Sequence, residues 1–144
     1  MKSISKISIP IIIVLVVIYS ASCKKQQDNG VALTTVDITM YANNPSFFNL
    51  NVVGGYVYIT GGVRGILVYR KTTSDFMAYD RNCTYQSTQP CATVVVDATH
   101  ILAVDTCCHS KFSIYDGSVT NGPATLPLKQ YQTTWDGTTL HIFN

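Results

Sequence analysis

Residues 130–143 read QYQTTWDGTTLHIF, and this stretch decides what kind of fold the chain can have. Gln130–Trp135 and Thr139–Phe143 are rich in threonine, aromatic and branched residues, and Asp136-Gly137 lies between them. An Asp-Gly pair supplies the positive φ angles of a tight hairpin turn, so two antiparallel strands are predicted here. The same grammar recurs upstream. YVYIT (Tyr56–Thr60) lies between Gly54-Gly55 and Gly61-Gly62. ILVY (Ile66–Tyr69), FMAY (Phe76–Tyr79), TVVV (Thr93–Val96) and ILAV (Ile101–Val104) follow, and KFSIY (Lys111–Tyr115) ends at Asp116-Gly117. Strands at this spacing, with no long helical period, imply an all-β domain, a small sandwich or barrel. No internal repeat and no second domain is visible.

The first residues have another purpose. MKSISKISIPIIIVLVVIYSASC carries Lys2 and Lys6, then an apolar run from Ile9 to Ile18, then small residues before Cys23. A secretory leader has this layout, whereas a membrane-spanning helix needs about 20 apolar residues. A cysteine placed directly after small residues resembles the lipobox of bacterial lipoproteins, although Ser20 stands where leucine is usual. The resemblance implies cleavage before Cys23 and its acylation. The expected organisation is therefore a signal peptide over 1–22, a lipidated tether over 23–35 and a β domain over 36–144. The expected place is the bacterial envelope, with the bilayer held through Cys23, the outer membrane as the preferred site and the domain outside the cytoplasm. KKQQDNG (Lys24–Gly30) has a tether's polar composition.

With Lys2 and Lys6 removed, the remaining basic residues equal the eight acidic ones. A neutral domain does not suit a nucleic-acid partner, which requires a clustered basic surface. No Ser-His-Asp order, phosphate-binding glycine loop or carboxylate pair gives enzyme chemistry a seat. The partner expected beyond the bilayer is an envelope protein of unspecified kind.

Several segments of the mature chain, in order, resemble the Rieske family of [2Fe–2S] domains. They are FMAYDRNCT (Phe76–Thr84), SKF (Ser110–Phe112) with the Asp116-Gly117 turn, NGPAT (Asn121–Thr125), PLKQY (Pro127–Tyr131) and the closing hairpin. The resemblance implies two cluster loops, one holding Cys-x-His and the other Cys-x-x-His, since such a centre takes two cysteines on one iron and two histidines on the other. In the first loop Cys83 occupies the cysteine position and Tyr85 the histidine position. In the second, DTCCHSKF (Asp105–Phe112), an ungapped alignment puts Asp105 at the cysteine position and Cys108 at the histidine position. A gapped one uses His109 and leaves Thr106 where cysteine belongs. His100 and His141 belong to neither loop, so a two-cysteine, two-histidine centre cannot be assembled.

Cys83, Cys91, Cys107 and Cys108 are then disulfide candidates, as expected in an oxidising compartment. Some members of the family join an extra cysteine on each loop, which implies Cys91 with Cys107 and leaves Cys83 facing Cys108. Cys83 with Cys107 and Cys91 with Cys108 remains open. The preferred reading is a cluster-free, stapled, non-enzymatic binding or structural module without a cofactor. One alternative is an electron carrier whose [2Fe–2S] cluster has non-standard ligands, drawn from Cys83, Cys107, Cys108 and His109; another is a structural zinc on the same residues. Asp105 reads as a turn cap, and Trp135 as a packing residue.

Overall fold

The computed structural model describes residues 30–144. The leader, Cys23 and the tether up to Asn29 lie outside the described residues. Among the described residues, ten strands form two antiparallel sheets. They are β1 (Asp37–Tyr41), β2 (Tyr56–Ile59), β3 (Ile66–Arg70), β4 (Phe76–Asp80), β5 (Val94–Val96), β6 (Leu102–Asp105), β7 (Lys111–Ser113), β8 (Val119–Asn121), β9 (Gln130–Trp135) and β10 (Thr139–Phe143). The larger sheet runs β1-β10-β9-β4-β3-β2 and the smaller β5-β6-β7-β8. The all-β architecture read from the turn signals is therefore the observed one.

The closing hairpin shows why the signals were readable. Gly137 has φ 100°, a conformation that glycine reaches without a Cβ penalty. Asp136 Oδ1 accepts from the backbone N–H groups of Thr138 (2.8 Å) and Thr139 (2.6 Å), closing the turn by side chain as well as by backbone.

Side-chain alternation divides the interior into two cores. Along β3, Ile66 and Val68 enter one core while Leu67 enters the other. Along β4, Phe76 and Ala78 go with the first, and Tyr79 with the second. Successive residues point to opposite faces of a strand, so β3 and β4 are apolar on both faces because each face meets a different core. This is why ILVY is a continuous apolar run and not an alternating one. The first core is completed by Leu50, Tyr131, Leu140 and Ile142, with Trp135 against it at 5.0 Å from the Phe76 ring. The second contains Cys83, Val94, Ala103, Phe112 and Ile114; it supports the cysteine-bearing loops.

Three features were not foreseen, one of them β8, which pairs with β7 at the edge of the smaller sheet. β1 pairs with β10 from Asp37↔Phe143 to Tyr41↔Thr139, and a short 3-10 segment spans Pro45–Asn51. The segment from Gly30 to Val36, partly read as tether, runs along the domain where it is described. Val31 is 4% exposed, Lys129 Nζ donates to Ala32 O (3.0 Å), and Val36 N donates to Asn144 Oδ1 (3.0 Å).

Arg70, at the end of β3, serves three carbonyls: Leu50 (2.8 Å), Thr72 (3.3 Å) and Thr73 (2.7 Å). Lysine has no planar fork with which to meet all three. Arg70→Lys should therefore cost about 1–2 kcal/mol, since orphaned acceptors are the expensive outcome; urea denaturation reads it.

Candidate functional site

Two loops meet at one end of the second core. The first leaves β4 at Asp80 and returns at Thr93; Cys83 N donates to Ala92 O (3.0 Å), and Asn82 bridges Thr93, so the loop closes at its base. The second is the tight connection from β6 to β7. There Asp105 N donates to Ser110 O (2.9 Å) and His109 N to Asp105 O (2.9 Å), with His109 in the left-handed region at φ 62°.

A disulfide joins Cys91 to Cys107 across the two loops, with Cα atoms 5.6 Å apart. Both residues are exposed. Beneath the disulfide, Cys83 and Cys108 carry free thiols whose sulfurs are 3.8 Å apart. Cys83 is fully buried and Cys108 half-buried. Burial pushes the Cys83 pKa well above the usual thiol range, and the neighbouring Asp105 carboxylate pushes it further.

Asp105 is the third member. It is fully buried, and its Oδ1 accepts from Cys107 N (2.6 Å) and Cys108 N (2.9 Å). That is the turn-capping role read from the sequence. Its Oδ2 is buried and takes no N–H or O–H donor, with the Cys83 thiol beside the carboxylate. Among the described residues, the group of potential metal ligands brought together is Cys83, Asp105 and Cys108, with one ligand atom from each within 4.8 Å of the others. Of the set considered from sequence, Cys83, Cys107, Cys108 and His109, this group includes Cys83 and Cys108. Cys107 has given its sulfur to a disulfide, where it is not a thiolate, and exposed His109 is outside the group.

The supporting residues carried little sequence signal. Ser110 Oγ, buried, accepts from Ala124 N (2.9 Å) and lies 3.1 Å from Cys108 Sγ, while Thr84 Oγ1 donates to Leu126 O (2.7 Å). The NGPAT turn and the residue after it are thus bonded to both cysteine loops. From the other side, GGVRG (Gly61–Gly65) braces the first loop. Arg64 donates through Nε to Asn82 Oδ1 (2.9 Å), through Nη1 to Pro90 O (2.9 Å) and through Nη2 to Gln89 O (2.7 Å). Asp80 fixes the entry: Oδ2 accepts from Val63 N (2.6 Å) and Tyr131 OH (2.7 Å), and Oδ1 from Asn82 N (2.8 Å) and Arg64 N (3.3 Å). Only the glycine-rich run hinted at this brace.

The arrangement does not suit a two-cysteine, two-histidine centre. His100 sits in the turn after β5, edge-on to Tyr56 at 5.3 Å, and His141 on β10 pairs with Asp37 at 2.7 Å. With His109 exposed on its own loop, imidazole is missing from the set that converges. Tyr85 is half-buried and packs against the second core.

No family model matches the chain, and no curated protein matches it. Solved structures do. The plasma-membrane Rieske protein PetC3 of the cyanobacterium Synechocystis PCC 6803 is 21% identical, over 62% of this chain and 86% of that one, with a TM-score of 0.51. A chain from the complex of reduced oxygenase and oxidized ferredoxin in carbazole 1,9a-dioxygenase is 15% identical, over 76% and 94%, with a TM-score of 0.52. The domain has a Rieske-type fold.

Proposed function

We propose that this Rieske-fold domain works without a [2Fe–2S] cluster, as a binding or structural module of the bacterial cell envelope held to the bilayer through Cys23. The observation that carries the first part is the composition of the four positions at which the family resemblance places ligands. In the ungapped alignment they hold Cys83, Tyr85, Asp105 and Cys108, so neither histidine position carries the imidazole that the second iron requires. The Cys91–Cys107 disulfide accords with the module reading, because it holds the loops together whether or not a cluster lies between them. The anchor rests on the leader and on the small residues before Cys23.

Full-length protein purified anaerobically in detergent should be colourless, with neither iron nor acid-labile sulfide in stoichiometric amount. A brown protein with iron and sulfide in equal amounts would instead make it an electron carrier with unusual ligands. Metabolic labelling with a fatty acid should mark the chain and fail to mark Cys23→Ala; label retained by that variant would remove the anchor.

A further inference from the structure

We propose that Cys83, Asp105 and Cys108 form a mononuclear site for a thiophilic divalent cation of the zinc type. The inference rests on the cluster-free reading above. A disulfide requires sulfurs about 2.05 Å apart; Cys83 and Cys108 stand at 3.8 Å. Two zinc–thiolate bonds of about 2.3 Å meeting at a tetrahedral angle span about 3.8 Å. Two uncoordinated thiols in contact would lie at a similar separation, so the spacing permits the site without requiring it.

Asp105 supplies the independent observation. Its carboxylate is fully buried, Oδ1 is engaged by two backbone N–H groups, and Oδ2 takes no N–H or O–H donor, the weakly donating Cys83 thiol being the polar group beside the carboxylate. Buried carboxylate oxygens are ordinarily satisfied, and an orphan calls for an explanation such as an ion. A carboxylate oxygen of this residue lies within 4.8 Å of both sulfurs. One cation would satisfy the orphan and join the two thiols, with sulfur and oxygen donors that zinc accepts.

The frame is rigid before any ion arrives. Cys83 is held at the closed base of the first loop, Cys108 N is bonded to Asp105 itself, and the Cys91–Cys107 bond prevents the loops from separating. Three protein donors leave a fourth tetrahedral position, and half-buried Cys108 marks the side from which water can reach it.

Cobalt(II) is the probe. Added anaerobically to the full-length, detergent-purified chain, freed of metal but with its disulfide intact, one equivalent should produce the visible bands of tetrahedral cobalt and a near-ultraviolet thiolate charge-transfer band. Zinc should bleach both. Cys108→Ser should weaken the charge-transfer band and lower affinity about tenfold or more, and Asp105→Asn, which keeps an oxygen for the two N–H groups, should lower affinity comparably. If either variant is unfolded by circular dichroism, X-ray absorption of the zinc-loaded unmutated chain decides, with two sulfurs and oxygen completing the shell. No cobalt bands, a Cys83–Cys108 disulfide in the protein as isolated, or affinity unchanged in both folded variants would overturn the site and leave the cluster-free reading standing. Iron with labile sulfide would overturn that reading itself.

Discussion

Asp80→Ala should lower the stability of the domain by roughly 4 kcal/mol. The carboxylate is fully buried and accepts from four donors: Val63 N, Arg64 N, Asn82 N and Tyr131 OH. Asn82 and Tyr131 are buried, and a buried donor left unpaired costs about 1–3 kcal/mol; the N–H groups of half-buried Arg64 and exposed Val63 add less, and a domain has only about 5–15 kcal/mol to lose. Tyr131 reports the same contact, since burial and then its hydrogen bond to Asp80 raise its pKa far above the phenol range. Gly62 offers a check from the opposite side. It adopts φ +59°, and a Cβ there would collide with Asp80 Oδ2, so Gly62→Ala should disturb the same bonds while leaving the carboxylate in place. Urea denaturation measures both. An Asp80→Ala loss within about 0.5 kcal/mol, the usual size for a surface substitution, would mean that the network is dispensable.

Reduction of the Cys91–Cys107 disulfide should lower the thermal midpoint by about 12 °C. A cross-link between residues 16 apart stabilises by about 3 kcal/mol in the chain-entropy view, and each kcal/mol is worth roughly 4 °C in a domain near this size. Because both cysteines are exposed, the bond should yield to a mild reductant without denaturant. Circular dichroism melts with and without reductant, repeated on Cys107→Ser, separate the staple from other thiol effects. If reductant shifted the variant as far as the unmutated chain, the stabilisation would have to come from elsewhere.

Most of the strands were legible because their punctuation is local. β9 and β10 flank an Asp-Gly turn, and β2 lies between glycine pairs. DITMY, which became β1, was not legible, since its partner is β10, a century of residues away, and nothing nearby announces the pairing. KFSIY was read too long. Strand β7 stops at Ser113 because Ser113 O is taken by Gly117 N (2.8 Å), which turns the chain early, while Ile114 stays buried in the second core.

The site was legible in its cysteines and hidden in its carboxylate. Family resemblance pointed to Cys91 with Cys107. Asp105 looked like any turn aspartate, and half of it behaves so; that its buried carboxylate comes together with two thiols depends on how a loop more than 20 residues upstream folds against it. Asp80 and Arg64 were invisible for the same reason, as their partners are scattered from Arg64 to Tyr131.

The two-sided burial of β3 and β4 bears on motion. Many two-sheet proteins have a seam along which the halves can slide or hinge. Here Leu67 belongs to one interior while its neighbours Ile66 and Val68 belong to the other, so shearing the halves apart would drag adjacent residues of one strand in opposing directions. Breathing is thereby confined to the loop tips, and amide protons of β3 and β4 should be the last in the domain to exchange with solvent.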